Sequence, residues 1–503
     1  MDRKIFTLLL EVHNNITFFN GDPIAIKAVM EQLSILDPKR FVKPSFKRRV
    51  WDGYFRLYDT MTKSFPTGLL TYVISKIDKL VNMDERKFYR VEYKIDDKRG
   101  QIFPKNKDWS LPDFEFRDYQ EEAIKSVFNP DVKGRGVIHA ATNAGKTEIL
   151  IGLAKYIGRK TLYIAPNHDP LAIQAYERFE KRGVKDISLY HWKESELEAQ
   201  IVISNIQFLY ARKDRIMDFL KSVELILIDE VQLAQAKTYK EIINFCENAY
   251  YRIGFSGTPF SGVVYNDLLM MGSVGPVIYK IKNEELINKG FSSKPKILCV
   301  HYTKDEGNDL ADYDDVSYKE CYSEFIVFNN KRNKAIIDIV CKINAKGDKS
   351  IVFVSQLAHC KILSDALKQS GVPTEVVTGE VTDREQIKSL FEQYHVKCLV
   401  VTTVFDIGVD FAGGVDCLVM AAGGISQIRS LQRIGRGLRM QNNKWNKCLV
   451  FDFQDEGKYV KRHSHTRFET YKSENFDCKS LDFTEVDLEL ETYYKEKENA
   501  KNG

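Results

Sequence analysis

The stretch that decides the fold reads VIHAATNAGKTEILIGLAKY over residues 137–156. It begins with a short apolar run, passes through a loop of small residues and continues with helical spacing over Glu148–Tyr156. A strand, a tight loop and a helix in this order predict a phosphate-binding loop, because backbone N–H groups and the helix N-terminus then face the phosphates. In such a loop Lys146 would reach the β- and γ-phosphates, and the Thr147 hydroxyl would ligate Mg²⁺.

The match to the phosphate-loop pattern is imperfect, since Ala140 stands where the first glycine is expected. The alternative is a Gly-Lys-Thr that falls by chance at a helix start. A second signal favours the nucleotide site: the apolar run Leu225–Ile228 leads directly into Asp229 and Glu230. A carboxylate pair at the end of a buried strand is unfavourable unless something binds it. Asp229 is therefore predicted to hold Mg²⁺ and Glu230 to polarise an attacking water, the alternative being a strand that ends in solvated acids.

Short apolar runs recur along the chain and are separated by longer helical stretches. This alternation predicts an α/β protein with two tandem parallel-sheet domains, whose sheets carry helices on both faces. The runs of the first series are Val137–His139, Thr161–Ala165, Ile201–Ser204 and Leu225–Ile228. The runs of the second series are Ile351–Ser355, Cys398–Thr403, Cys417–Met420 and Leu449–Phe453.

The amino-acid composition excludes several other classes of protein. The chain has 503 residues, 44% of them hydrophobic and 29% charged, which excludes wholesale disorder. A net charge of +4 excludes a histone-like polycation but not local basic patches. No apolar run approaches the roughly 18–20 residues of a membrane-spanning helix, and the N-terminal apolar core is too short for a signal peptide. We therefore expect a soluble cytoplasmic protein. Nine cysteines without a C-x-x-C pair support neither zinc nor a disulfide framework.

Four ranges differ in pattern and are predicted to be separate parts. Residues 1–105 are predicted to form a small N-terminal α/β domain, 112–289 the first parallel-sheet domain and 290–475 the second. Residues 476–503 form a charged C-terminal tail, with eight acidic and four basic residues from Asp477 onward. This composition favours a solvated helix or a frayed end over an acidic docking arm.

A third signal is the arginine-rich segment QRIGRGLR over residues 432–439. Arg436 and Arg439 are three residues apart and share a face if the segment is helical. Arginines delivered across a domain cleft can neutralise charge that develops on a γ-phosphoryl group. The two arginines are therefore candidate catalytic residues, and the alternative is a basic surface helix.

In this order, the phosphate loop, the Asp229–Glu230 strand end and the segment 432–439 resemble the motifs of a superfamily 2 DNA helicase. Other segments agree with the resemblance, among them Arg117–Gln120 and Ser256–Pro259. It covers roughly residues 112–460 and implies two RecA-like domains with an ATP cleft between them, with ATP and Mg²⁺ as cofactors.

The resemblance also implies a set of site residues. The catalytic residues would be Lys146, Asp229, Glu230, Gln432, Arg436 and Arg439, with Mg²⁺ on Thr147 and Asp229. The residues that bind ATP would be Arg117, Gln120, Thr142, Asn143, Ala144, Gly145, Lys146, Thr147, Gly408 and Asp410. The residues that contact DNA phosphates, without reading bases, would be Pro166, Asn167, Ser204, Gln207, Gly379, Arg384 and Thr402.

Two positions depart from the usual helicase motifs. Asn143 stands where glycine is common, and Gln232 stands where many relatives have His or Asp. The second position usually couples ATP to the domain interface, so the departure concerns coupling rather than hydrolysis.

One segment near the N-terminus has the charge and the aromatic content of a DNA-binding surface. Residues 39–56 contain seven basic residues and one acid, with aromatic residues between them. This mixture suits phosphate contacts combined with base stacking or a strand-separating wedge. The candidate DNA-binding residues here are Lys47, Arg48, Arg49 and Trp51. The alternative is a solvated edge strand whose aromatic side chains pack in the small domain's core, and for Trp51 itself core packing is favoured. Lys458–Lys472 is a second basic stretch, equally compatible with a duplex contact and with a solvated helix.

A narrower resemblance to the phage UvsW-type branch-migration helicases rests on Trp51–Gly53 and Phe65–Leu69. It implies an ATP-driven DNA translocase that remodels forks, Holliday junctions and R-loops in replication, recombination and repair, without sequence specificity. A phage-encoded chain would work in the host cytoplasm. The alternatives are an RNA helicase or RNA-stimulated ATPase, a duplex translocase without strand separation, and a non-hydrolysing DNA-binding module.

Overall fold

The computed structural model describes most of the chain, namely residues 4–84, 88–166, 169–191, 193–302, 317–379, 384–402, 415–424, 430, 433–435, 445 and 447–502. Two compact units are present, one of residues 1–140 and 145–281 and the other of residues 141–144 and 282–503. None of the helices in the described ranges combines the length and the apolarity needed to cross a bilayer.

The first unit begins with a small four-stranded sheet in the order β5-β2-β1-β6 and a separate two-stranded ribbon of β3 and β4. Strand β1 pairs antiparallel with β2 and parallel with β6. Helices α1 and α3 pack their buried residues against the sheet in one core. The elements are β1 Lys4–Val12, β2 Ile16–Gly21, α1 Pro23–Gln32, β3 Ser34–Leu36, α2 Pro44–Lys47, β4 Tyr54–Arg56, β5 Ser64–Pro66, α3 Leu70–Ile77 and β6 Tyr89–Asp97.

The same unit continues with a seven-stranded sheet in the order β13-β7-β12-β11-β8-β10-β9, in which every pair is parallel. Along β11, residues 225 and 227 face one side and 226 and 228 the other, and all four are fully buried. The elements are α4 Asp118–Ser126, β7 Arg135–Ala140, α5 Lys146–Ile157, β8 Thr161–Ala165, α6 Asp169–Lys181, β9 Ile187–Leu189, β10 Ile201–Asn205, α7 Ile206–Arg212, α8 Met217–Ser222, β11 Leu225–Asp229, α9 Lys237–Phe245, β12 Tyr251–Ser256, α10 Val264–Val274 and β13 Val277–Ile281.

The second unit holds another parallel seven-stranded sheet, in the order β16-β17-β15-β18-β19-β14-β20. Cores cover both of its faces. The elements are α11 Asn283–Asn288, β14 Lys294–His301, α12 Tyr318–Tyr322, α13 Asn330–Ala345, β15 Ser350–Phe353, α14 Leu357–Gln369, β16 Thr374–Val377, α15 Arg384–Glu392, β17 Cys398–Val401, β18 Cys417–Val419, β19 Lys447–Gln454, α16 Val460–Ser473, β20 Asp477–Asp482 and α17 Val486–Asn502. The prediction of an α/β protein with two tandem parallel sheets and a small N-terminal domain is thus confirmed.

The C-terminal segment corrects the prediction of a solvated tail. Strand β20 pairs with β14 as the last strand of the second sheet. On helix α17, Val486, Leu490 and Tyr493 are buried in the core of the second unit. The charged residues that suggested solvation lie on the outer side of this helix or form ion pairs, such as Lys497 with Asp348. Net acidity therefore concealed an apolar stripe at helical spacing.

Candidate functional site

The loop between β7 and α5 has the backbone shape that a phosphate-binding loop needs. Asn143 and Gly145 both have left-handed backbone, with φ of 71° and 75°. Asparagine is one of the few non-glycine residues that adopts this conformation readily, which explains why it can stand at position 143. A Cβ atom at Gly145 would collide with Gln120 Nε2, so glycine is required there by space as well as by φ.

The cation of this loop lies at the carboxyl edge of the first sheet. Lys146 Nζ donates a hydrogen bond to the Ala140 carbonyl oxygen at 3.4 Å, across the mouth of the loop. Thr147 is half-buried in the first turn of α5. Buried Gln120 accepts a hydrogen bond through Oε1 from the Arg117 N–H at 3.0 Å, and this bond fixes the amide beside Gly145.

Strand β11 ends in the acid pair on the same edge. Asp229 Oδ1 accepts a hydrogen bond from the Glu230 N–H at 3.0 Å, and the Tyr163 hydroxyl donates to Oδ2 at 3.4 Å. Burial and the neighbouring Glu230 carboxylate raise the pKa of Asp229 to about 6, while Lys146 acts in the opposite direction. The half-buried carboxylate therefore lies within the electrostatic influence of Lys146, in a place where a second cation would be stabilised.

Glu230 is held by the residue at which this chain departs from the common motif. Its backbone is left-handed, with φ of 51°. Gln232 Nε2 donates to Glu230 Oε2 at 2.7 Å. Gln232 Oε1 is buried and has no hydrogen-bond partner among the described residues. Gln232, which stands in place of His or Asp, therefore orients the Glu230 carboxylate through its Nε2 donor. Its Oε1 acceptor is available to another group.

The loop after β12 is bonded to the strand that precedes the phosphate loop. Ser256 Oγ accepts a hydrogen bond from the Thr258 N–H at 2.9 Å. Burial, with Lys280 nearby, lowers the pKa of His139 to about 4. The neutral ring then donates from Nε2 to the Gly257 carbonyl oxygen at 3.0 Å. Thr258 Oγ1 is buried and lacks a partner in the part of the chain that is described.

Two polar residues near this site did not stand out in the sequence. Tyr163 reaches Asp229 because β8 lies beside β11 and the two residues share a face of the sheet. Glu148, only 3% exposed, accepts from Arg178 Nε at 2.8 Å and from Arg182 Nη2 at 3.4 Å, which fixes α6 on α5. Side chains alternate between the two faces along a strand, and this alternation on neighbouring strands could have identified Tyr163. Glu148 gives no sequence signal beyond an acidic residue at the start of a helix.

Several predicted DNA contacts lie at the carboxyl ends of neighbouring strands. Pro166 follows β8, and Ser204 lies near the end of β10, beside it. The Ser204 hydroxyl is buried and donates to the Tyr190 carbonyl oxygen at 3.1 Å, whereas Gln207 is exposed on α7. In the second unit, Gly379 and Thr402 follow the paired strands β16 and β17.

Seven predicted site residues cannot be placed in this way. Asn167, Gly408, Asp410, Gln432, Arg436 and Arg439 lie outside the described residues, as does the side chain of Arg384, and their roles stay predictions.

The basic residues predicted to bind DNA surround an aromatic cluster of Phe41, Phe46, Trp51 and Phe55 in the small domain. Lys47, Arg48 and Arg49 are exposed, and two of them line a shallow cavity of about 770 Å³ together with Trp51. The Trp51 ring lies 5.1 Å from Phe55 and 6.5 Å from Phe46, and its Nε1 donates to the Tyr54 carbonyl oxygen at 2.8 Å. Trp51 therefore packs in this surface cluster and not in the main core of the small domain.

The second basic stretch divides into two kinds of residue. Lys461, Arg462 and Lys472 are exposed on α16. Arg467 is buried and bonded to Asp452 from Nε at 2.9 Å. Neither a duplex contact nor a solvated helix describes Arg467, because it is part of the fold of the second unit.

Two family models match the chain where the parallel sheets lie. The type III restriction enzyme, res subunit, family matches residues 113–261. The helicase conserved C-terminal domain matches residues 331–441. The first match contains the phosphate loop and the acid pair, and the second contains the whole segment 432–439.

Three relatives extend over more of the chain. The ATP-dependent DNA helicase uvsW of Enterobacteria phage T4 is 24% identical over 482 residues, which is 88% of this chain and 92% of that protein. The DNA 3'-5' translocase XPB2 of Sulfurisphaera tokodaii is 27% identical over 424 residues, 77% and 92% of the two chains. Helicase 22 of a Sulfolobus islandicus filamentous virus is 24% identical over 67% of this chain, but the match spans only 64% of that viral protein.

A solved structure supports the fold alone. Dbp5 of S. cerevisiae, bound to RNA and ADP BeF3, superposes with a TM-score of 0.52 at 17% identity, over 75% of this chain and 93% of that chain. With the two family matches and the order of the motifs, the chain belongs to superfamily 2 and is an ATP-dependent helicase built on two RecA-like domains.

Proposed function

We propose that this helicase acts on DNA and remodels branched DNA, such as forks, four-way junctions and R-loops, without sequence specificity. The observation that carries the proposal is the exposed basic and aromatic surface of residues 39–56, which belongs to the same unit as Lys146 and the acid pair. The names of two relatives, a DNA helicase of phage T4 and a DNA translocase of an archaeon, support DNA over RNA.

The first step is nucleotide binding at the β7–α5 loop. The N–H groups of residues 143–147 and the start of α5 would bind the phosphates, and Lys146 would exchange its bond to Ala140 for a phosphate oxygen. The arrangement fits Mg²⁺, since Thr147 supplies a hydroxyl and half-buried Asp229 a carboxylate. When bound, Mg²⁺ would neutralise charge on the phosphate oxygens.

Glu230 would then act as the general base for the attacking water. Gln232 Nε2 donates to Oε2 of its carboxylate at 2.7 Å and so helps to hold the base in place. Burial and the adjacent Glu230 carboxylate raise the pKa of Asp229, so a bound cation would stabilise the charged form of Asp229. Arg436 and Arg439 would neutralise the charge that develops on the γ-phosphoryl group, and Gln432 would act beside them.

DNA would be held mainly through phosphates. Lys47 and Arg49 line the cavity beside Trp51, and Arg48 is exposed between them in sequence, a combination that suits backbone contact and base stacking together. Pro166, Ser204, Gln207, Gly379 and Thr402 would track one strand by small or backbone groups. Since such contacts do not read bases, weak sequence preference is expected.

The experiment that tests the proposal is ATP-driven processing of a set of substrates: a fork, a four-way junction, an R-loop and tailed duplexes of both polarities. We expect the branched substrates to be processed fastest, and a Glu230→Gln protein to bind DNA normally but to turn over at least about 100-fold more slowly. Preference for RNA duplexes would contradict the proposal. Hydrolysis on DNA without processing of any branched substrate would favour the second candidate, a duplex translocase, which the name of the archaeal relative supports.

A further inference from the structure

Helix α10 begins directly after the loop that contacts the strand of the nucleotide site. The Ser261 N–H and hydroxyl donate to Asp267 Oδ1 at 2.7 and 2.8 Å. The Val263 N–H donates in turn to Ser261 Oγ at 3.2 Å. These bonds tie the turn that follows Thr258 and Pro259 to the first turn of the helix, so a shift of that loop moves the start of α10.

The buried face of α10 packs on the segment that follows the acid pair. Ser273 Oγ donates to the Ala234 carbonyl oxygen at 3.4 Å. Met270 and Val274 belong to the same core as Val231. The short 3-10 helix Val231–Gln235, which contains Gln232, therefore rests on α10.

The opposite face of α10 belongs to the small N-terminal domain. Leu268 is 3% exposed and lies in the core formed by Leu8, Leu69 and Val73. A Cβ atom at Gly68 would collide with the Met271 carbonyl oxygen, so the two backbones are in direct contact. The helix is thus a structural part of both domains of the first unit.

The first turn of α10 also contacts the DNA-binding surface. The Tyr265 ring stacks on Phe55 with centroids 4.3 Å apart and an angle of 20° between the planes. Phe55 in turn contacts Trp51, and Lys43 Nζ lies 4.7 Å from the centre of the Phe55 ring. Phe55 lies on the two-stranded ribbon β3–β4, which pairs with no other described strand. Since an isolated two-stranded ribbon has little stability of its own, its position depends on such packing.

We propose that α10 couples the nucleotide site to the DNA-binding surface of residues 39–56, with the Tyr265–Phe55 stack as the joint between them. Tyr265 is then a positioning residue: it touches neither ATP nor DNA, and it sets where the ribbon with its basic residues lies when the loop after β12 moves. The inference rests on the proposed function, because it assigns the coupling of that function to a particular contact.

Two variants of Tyr265 test the joint. Tyr265→Leu keeps an apolar side chain against the ribbon but removes the aromatic stack, and Tyr265→Phe keeps the stack. The readouts are ATP turnover without DNA, ATP turnover with saturating forked DNA, and the Kd for the fork with and without a non-hydrolysable ATP analogue. We expect Tyr265→Leu to lose about tenfold of the DNA stimulation, within the range of measured coupling energies, with turnover in the absence of DNA within about twofold of wild type. Its Kd should no longer respond to the analogue, and Tyr265→Phe should resemble wild type.

Three results would overturn the inference. One is a Tyr265→Leu protein that is stimulated as strongly as wild type. Another is a Tyr265→Phe protein that loses as much stimulation as Tyr265→Leu. The third is an equal fall of turnover with and without DNA, which would locate the damage in the nucleotide site itself. A wild-type protein that no nucleic acid stimulates would overturn the proposed function together with this inference.

Discussion

Each unit contains a pair of buried arginines, and the two pairs meet opposite kinds of acceptor. In the first unit, Arg135 and Arg252 lie side by side at the amino ends of β7 and β12. Arg252 donates to the Ala249 and Cys246 carbonyl oxygens at 3.1 Å and to Asn15 Oδ1. Arg135 donates to the Asn14 carbonyl oxygen. Because these acceptors are neutral, burial lowers the pKa of Arg135 and lowers that of Arg252 to about 10.

In the second unit, Arg332 and Arg467 meet two buried carboxylates. Arg332 Nε donates to Asp455 Oδ1 at 2.8 Å. Arg467 donates to both oxygens of Asp452, and Tyr471 donates to Asp452 Oδ2 at 2.7 Å. Burial opposes the charged form of Arg467 here too, but Asp452 outweighs it and raises the pKa.

The acceptors of each pair of arginines show which parts of the fold that pair joins. The neutral acceptors of the first pair include the turn between β1 and β2, so these arginines attach the N-terminal domain to the amino edge of the parallel sheet. The carboxylates of the second pair lie on and just after β19, so those arginines join α13 and α16 to their own sheet. Removing a cation should therefore be far more costly in the second unit, where it leaves buried carboxylates behind.

The largest effect is expected from Arg467→Met. The change leaves Asp452 without its cation and should cost about 3–5 kcal/mol of the free energy of unfolding of the second domain. Calorimetry and urea unfolding measure this loss. Arg462→Met, an exposed change on the same helix, is the matched control and should stay within about 0.5 kcal/mol of wild type. A cost for Arg467→Met no greater than that of the control would remove the distinction between the two pairs.

Arg252→Met should cost less, about 1–3 kcal/mol, because it removes hydrogen bonds to neutral oxygens and leaves no buried charge. The loss should appear first as easier detachment of the N-terminal domain. Limited proteolysis after residue 97 should therefore accelerate while the second parallel-sheet domain keeps its melting temperature. If this variant destabilises the protein as much as Arg467→Met, the comparison fails.

A pH effect of intermediate size is expected in the second unit. Burial and nearby Arg332 lower the pKa of His359 in the second unit to about 3. The unfolded chain protonates this histidine below its ordinary pKa of about 6.5, so its stabilising contribution is complete above that pH and is lost as the pH falls, by up to about 1.4 kcal/mol per pH unit. His359→Gln should flatten the fall in Tm between pH 6.5 and 5. An unchanged slope would show that the histidine becomes charged without cost.

The smallest effect is expected from Asn15→Ala. It removes the bond from Arg252 and the bond from Asn15 Nδ2 to the Asn244 carbonyl oxygen at 2.6 Å, each worth about 1 kcal/mol. The same proteolysis assay should report a smaller acceleration than for Arg252→Met. Asn20→Ala, on the other end of β2, serves as the control, and an equal effect of the two would argue against a special role for the turn.

The parallel sheets and the centre of the site could be predicted from the sequence for a physical reason. Strands buried on both faces are continuously apolar, and the loop, the lysine and the acid pair must follow such strands to reach one edge. Strands β12 and β20 were missed because Arg252 and Gly254 interrupt the first and charged residues dominate the second. The bonds of Tyr163 and Gln232 could not be predicted, since they depend on strand register. The contacts of α10 depend on tertiary packing alone.

The strand order of the second sheet has a consequence for synthesis. Strand β14 is the first strand of its unit to leave the ribosome, yet both of its neighbours, β19 and β20, are made about 150 to 180 residues later. During that interval neither edge of the strand has its native partner strand. The nascent second domain therefore cannot close its sheet early, and this strand is where chaperones and aggregation would compete for the growing chain.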